Sequence, residues 1–328
     1  MALGIFIVWL LGWVTVSAMR LQCVTYNPMN VNFDRLDMIL HESSGFNIIF
    51  LPGTAKGKFS DDKIRPYPLG GFTVFSFDYV TNKQFPGINK SCGCTIAIRT
   101  SCFPKYHKIY EPPEDIAGRA GAIRVARPDI DSLFVVFYFA PDMSNKEHKK
   151  VSQKVAKWVT SIVLKMLKRC TVFFGCDING KVGIEANGLD FYPNVGRISP
   201  DKENFNGTLF REFLVNTSLA AVNTHYDTGP TYYSNRGDGS RINYIGTCAS
   251  MVTTRKVSKV IVLNKSGDRL QKARVYGRSD HRPIALYCNV ALELKPPTSP
   301  QATICPDLLM LAIQNKLRNA DLVSHIDE

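Results

Sequence analysis

Apolar and polar residues alternate along 19–26 as they do in a half-buried strand. At Phe33, Leu36, Ile39 and Leu40 the spacing lengthens to the three and four of a helix. Further strand-like runs are predicted at 47–51, 71–77, 95–99, 120–125 and 133–139. The longest helix is expected over 146–168, with Val151, Val155, Trp158 and Ile162 on one face. The apolar run "TVFFGC" reads as a buried strand. A second helix is expected to begin around Asn206, and more strands near 220–223, 241–245 and 284–290. Strands outnumber helices, and helices separate only some of them. The pattern predicts a mixed α/β (α+β) fold, a four-layer sandwich of two packed mixed β-sheets flanked by helices. It argues against a doubly wound sheet or a repeat protein.

The ends differ from this pattern. Residues 1–18, "MALGIFIVWLLGWVTVSA", are apolar and uncharged and close on small residues. They read as a signal peptide, a membrane anchor, or a gene-model extension ahead of a start at Met19; the absence of Lys and Arg before the apolar run weakens the first reading. "KPPTSPQ" at 295–301 is a linker by composition, and Leu309, Ile313 and Leu317 beyond it are spaced as in an amphipathic helix. The main domain is therefore placed at 19–294, with linker and tail at 295–328.

Composition adds two constraints. The 328 residues are 45% hydrophobic, enough for a full core, and 40 basic against 28 acidic residues give a net charge of +12. That balance suits a polyanionic partner or a soluble basic surface. Nine cysteines, several inside strand-like runs, suit buried thiols better than a disulfide framework, and "CGC" at 92–94 has no second pair at zinc spacing. The Asn-x-Ser/Thr triplets at Asn89, Asn206, Asn216 and Asn264 do not decide the compartment. The location stays open between intracellular or nuclear, if the leader is not a signal, and secretory or membrane-anchored, if it is.

Polar residues at strand ends carry the candidate chemistry. "FFGCDING" sets Asp177 and Asn179 two residues apart just past an apolar strand, a carboxylate beside an amide; on local grounds this is also an ordinary turn. "GRSDHRPI" places Asp280 and His281 before a closing strand, a metal or water ligand next to a proton-transfer group. "TYNPMN" puts Asn27 where the first apolar run stops.

This ordered set resembles the endonuclease/exonuclease/phosphatase superfamily, the fold of deoxyribonuclease I and the apurinic endonucleases, over 19–294. "NFNGTLFREFLVNTSLAAVNT" and "TYYSNRGDGSRINYI" are similar to the endonuclease domains of LINE-type retrotransposons, the RTE and craniofacial-development-protein-like group. The resemblance implies a Mg²⁺- or Mn²⁺-dependent phosphodiesterase acting on DNA, or on RNA, as a monomer without an obligate protein partner. It implies His281, Asp177 and Asn179 as catalytic, and Asn27 and Asp280 as metal-holding. Arg119 and Arg124, with Lys181 and Arg241, are the expected phosphate contacts.

Three positions depart from the family. Where its metal-binding Glu is expected, in "NIIFLPGT", stands Gly53; Phe139 replaces a Tyr, and Asn243 replaces the Asp that orients the His. Mg²⁺ depends on carboxylate oxygens, and an amide cannot stabilise an imidazolium as a carboxylate does. The expectation is impaired or lost catalysis, leaving an endonuclease-like domain, a nucleic-acid-binding pseudoenzyme, or a decayed element copy.

Overall fold

The computed structural model describes residues 18–58, 64–80, 92–103, 107–127, 130–141, 144–183, 192–234, 236–270 and 280–291. The leader and the tail lie outside them. Two sheets dominate. The first has seven strands, in the order Val257–Val262, Ile284–Ala291, Ala18–Thr25, Ile48–Pro52, Cys94–Arg99, Phe72–Phe77 and Tyr67–Leu69. The second has six, in the order Leu219–Ala221, Asn243–Cys248, Thr171–Asp177, Asp131–Tyr138, Ala120–Ala126 and His107–Tyr110. Both are mixed: Ala18–Thr25 runs parallel to Ile48–Pro52 and antiparallel to Ile284–Ala291, and Asp131–Tyr138 runs parallel to Thr171–Asp177.

Strand alternation builds the layers. In Asp131–Tyr138, Phe134, Val136 and Tyr138 face the first sheet, joining Phe50, Ile96 and Phe75 in a core between the sheets. The intervening Leu133, Val135 and Phe137 face the opposite way, into a second core with Val155, Val159, Phe210 and Phe213. Those four residues come from the helices Lys146–Leu164 and Phe205–Thr217. On the far side, Leu36, Ile39 and Leu40 of the helix Phe33–Glu42 pack on Ile49, Leu51 and Val74. The outcome is helix, sheet, sheet, helix, as the pattern predicts. Strands buried on both faces lose the polar alternation of an exposed sheet, and this is why "NIIFLP" and "TVFFGC" read as continuous apolar runs.

Among the described residues, asparagine starts each of the three long helices. Asn32, Asn145 and Asn204 each accept a backbone N–H of the first turn, from Arg35, Glu147 and Gly207. Such a cap is worth about 1 kcal/mol over alanine. The helix expected over 146–168 ends at Leu164, because the chain must turn there to enter Thr171–Asp177 in parallel register with Ser132. The strand expected at 220–223 is Leu219–Ala221, followed by a single 3₁₀ turn. The eight described cysteines are free, and six of them are buried.

Candidate active site

Strand direction gathers the polar residues. Ala18–Thr25 and Ile48–Pro52 are parallel and deliver Asn27 and Gly53 at one end. Asp131–Tyr138 and Thr171–Asp177 are parallel and deliver Phe139 and Asp177. The antiparallel strands Asn243–Cys248 and Ile284–Ala291 begin there, Asn243 opposite Asp177 and Ile284 opposite Thr25. His281 lies three residues before that last strand, in a small sheet where it pairs with Tyr232.

Asp177 is fully buried, and both of its oxygens are occupied. Oδ2 accepts from Asn27 Nδ2 at 2.7 Å, and Oδ1 accepts from the Asn179 backbone N–H at 2.8 Å. Asn179 reaches this geometry through a left-handed backbone, φ 45°, which Asn tolerates better than most residues. Its Nδ2 donates to the Phe139 carbonyl at 2.9 Å, tying two strand-end loops together. Burial pushes the Asp177 carboxyl up to about 7, and the N–H groups from Asn179 and Asn27 oppose that rise without cancelling it.

His281 is 5% exposed, with Nδ1 3.8 Å from Asp177 Oδ2, beyond hydrogen-bond reach. Its close partner is Asn243, whose Nδ2 lies 2.9 Å from Nδ1. The same Nδ2 donates to the Thr231 carbonyl at 3.2 Å. Nδ1 also lies 3.3 Å from Asn243 Oδ1. The shorter contact, with Nδ2 held toward the Thr231 carbonyl, favours Nδ1 as acceptor and the ring proton on Nε2. Burial pushes the imidazole down to about 3, which keeps the ring neutral. With the proton on Nε2, the ring's lone pair is turned to Asn243.

Gly53 sits against this cluster. Its φ is +78°, and a Cβ placed on it would lie 2.5 Å from Asn27 Oδ1 and 2.8 Å from Asn27 Cγ. The Asn27 carboxamide thus fills the space into which a residue-53 side chain would project. Its Oδ1 accepts from the Met29 N–H at 2.7 Å. Position 53 supplies no oxygen to a cation, and Asn27 turns its Nδ2 to Asp177 and its Oδ1 to the Met29 N–H. Among the described residues no group of three or more His, Cys, Asp and Glu could hold a metal ion. The Asp280 side chain is outside the description; its backbone pairs with Tyr233.

The other expected residues are placed as follows. Phe139 is fully buried with its ring against Phe137, 5.6 Å between centroids, in the helix-side core. Tyr138 is the residue whose side chain shares the inter-sheet face of its register partner Asp177. Arg119 lies at the site end, where its carbonyl accepts from Tyr138 N–H, but it is 1% exposed with its guanidinium 5.5 Å from the Tyr138 ring. Arg124 is not brought to the site. It clasps Asp131 through two bonds of 2.9 and 2.7 Å at the opposite end of the strand Asp131–Tyr138, about 23 Å away at strand rise. Arg241 is buried and donates to the carbonyls of Asn223, Ile198 and Ser199, so it braces loops. Lys181 is half-buried, and its backbone N–H donates to Asn204 Oδ1.

Four further residues join the cluster beyond the expected candidates, three of them within the stretches quoted above. Thr231 Oγ1 accepts from the N–H groups of Ile242 and Asn243, both at 3.1 Å. The Tyr232 ring lies 4.9 Å from the His281 ring. Asn206 Nδ2 donates to the carbonyls of Ile178 and Ala140 and so joins both loops. Tyr138 is the fourth.

This two-sheet sandwich, with its polar cluster at the strand ends, is the fold of the endonuclease/exonuclease/phosphatase superfamily, the deoxyribonuclease I-like class. The solved structures it matches include the AP endonuclease LMAP from Leishmania major (TM-score 0.57, 14% identity, 83% of this chain and 88% of that one). A 3′ phosphatase from Neisseria, NExo, bound to a product DNA hairpin, matches at TM-score 0.55 and 14% identity over 82% of this chain and all of that one. An AP endonuclease from Archaeoglobus fulgidus matches at 0.53 and 17% identity over 82% of this chain and all of that one. At such identities the likeness is one of fold. No protein-family model and no curated protein matches the sequence.

Proposed function

We propose that residues 19–294 form a retrotransposon-derived endonuclease-like domain of the Mg-dependent phosphodiesterase type that engages the phosphate backbone of DNA at this strand-end face and has lost most of its hydrolytic capacity. The single observation that carries the second half is the seating of Asn27. Its carboxamide fills the space beside Gly53 and bonds Asp177, so a carboxylate side chain at position 53 has no room there. The contacts of His281 point the same way: an imidazole with its Nδ1 lone pair turned to Asn243 is not placed to take a proton from water. DNA as the partner is supported by the basic balance of the chain and by the DNA-bound fold neighbour. The retrotransposon origin rests on the stretches around Asn206 and Asn243.

Two measurements test this reading. Binding of a labelled duplex should weaken steeply with added salt, because released counterions drive such association; salt-independent binding would refute a phosphate-reading surface. A supercoiled plasmid in Mg²⁺ or Mn²⁺ should be nicked no faster by the wild-type chain than by His281→Ala.

A further inference from the structure

The helix Lys146–Leu164 lies on the outside of the fold, and its exposed face is a row of cations. Ser152, Val155, Val159, Ile162 and Val163 are buried against the second sheet. At 100° per residue, Lys146, Lys150, Lys154 and Lys157 fall on the opposite side, and all four are exposed. Lys165 and Lys168, also exposed, continue the row past the helix end. Glu147 is the one acid between residues 146 and 169. It bonds Lys150 at 2.8 Å, and Asp115 bonds Lys154 at 2.7 Å. These pairs lie in solvent, where an ion pair is worth little and exchanges readily for another anion.

The row is tied to the site. The helix opens seven residues after Phe139, whose carbonyl holds Asn179, and Ser152 Oγ accepts from the Ala140 N–H at 3.1 Å. From Lys146 to Lys165 the helical rise covers about 28 Å, the length of roughly eight base pairs at 3.4 Å each.

We propose that this lysine row is a second contact for duplex nucleic acid, continuous with the strand-end face and running away from it along the flank. The proposal rests on the DNA-binding reading above and extends it from a single site to a long footprint. The partner is a duplex and not a lipid surface, because a helix that lies in a membrane interface inserts its apolar face. Here that face is consumed by the core: Val155, Val159, Ile162 and Val163 are packed with Phe210 and Phe213.

The test compares the full chain with a variant carrying Lys146→Gln, Lys150→Gln, Lys157→Gln and Lys165→Gln. Affinity for a 30-base-pair duplex is measured by anisotropy across 50 to 200 mM salt, beside an 8-base-pair hairpin and vesicles rich in phosphatidylserine. All four lysines are exposed, so the fold should survive, and thermal melting checks this. Each lost phosphate contact lowers the salt slope by about one. The wild-type affinity for the long duplex should therefore fall about 150- to 250-fold more across that range than the variant's. Affinity for the short hairpin should change less than threefold. An unchanged slope for the long duplex overturns the second contact while leaving the strand-end reading intact. Loss confined to the vesicles overturns it in favour of a membrane surface. Failure of the wild-type chain to bind either nucleic acid overturns both readings.

Discussion

Replacing His281 with alanine should uncover a pH dependence that the wild-type protein conceals. Asp177 has its carboxyl raised from 3.8 to about 7, and His281 has its imidazole lowered from 6.5 to about 3. The two signs oppose each other. A raised carboxyl contributes stability below its unfolded value and loses it as pH climbs from about 4 to about 7. A lowered imidazole contributes stability above about 6.5 and loses it as pH falls towards about 3. Between about pH 4 and 6.5 the unfolded chain carries one proton on the histidine, and the folded pair carries one on the carboxyl. Proton uptake is balanced, so the pair adds almost no slope. Removing either partner breaks the balance over about 2.5 pH units, worth about 3 kcal/mol at roughly 1.4 kcal/mol per unit. Against wild type, His281→Ala should lose about that much stability from pH 4 to 6.5, and Asp177→Asn should gain about that much. In a domain of this size the relative melting shifts are about 6 to 12 °C. Urea or thermal unfolding at half-unit steps provides the difference curves, in which the titrations of all other groups cancel. Difference curves that run flat, or that share one sign, would refute the neutral pair.

Four further outcomes follow from the geometry. Gly53→Glu should destabilise the domain by about 1–3 kcal/mol, through a side chain forced into the left-handed region and against Asn27 Oδ1, and Mg²⁺ should not restore its melting temperature. Combining it with Asn27→Ala clears the space, and only that pair should melt higher when Mg²⁺ is added. Asn243→Asp should move the His281 proton from Nε2 to Nδ1 and raise the imidazole's affinity for a second one. Ring-nitrogen NMR reads this directly, and a wild-type ring already protonated on Nδ1 would contradict the hydrogen-bond assignment. Thr231→Val should cost about 2–3 kcal/mol in denaturant unfolding, because it leaves the buried N–H groups of Ile242 and Asn243 without their acceptor.

Much of the fold is legible in the chain because burial is two-sided. Thr171–Asp177 and Ile48–Pro52 are sandwiched between layers, so their apolar runs are long enough to read, and helical spacing marks the buried faces of Phe33–Glu42 and Lys146–Leu164. The edge strand Val257–Val262 is not legible, since exposed Ser258 and Lys259 break its run. Nor are the two-residue strands Tyr232–Tyr233 and Asp280–His281, which are too short to show any period.

The site was readable as a set of strand-end residues, and Asn27, Asp177, Asn179, Asn243 and His281 do meet. What the sequence could not supply was orientation. Alternation separates Tyr138 from Phe139, yet only the pairing of Tyr138 with Asp177 reveals which of them faces the cluster. Arg119 and Arg124 look alike in sequence; register sends one to the site end beneath Tyr138 and the other to Asp131. The contact between Asn27 and position 53 joins two loops that no local pattern connects.

The measurement that bears most directly on the central claim is nicking of a supercoiled plasmid by the purified full chain in Mg²⁺ and in Mn²⁺, beside His281→Ala. A strand-end site with Gly53 where a carboxylate is expected, and Asn27 filling the space beside it, should convert no more plasmid than the variant in either metal. Nicking that needs a divalent cation and disappears with His281→Ala would show that the hydrolytic centre is alive.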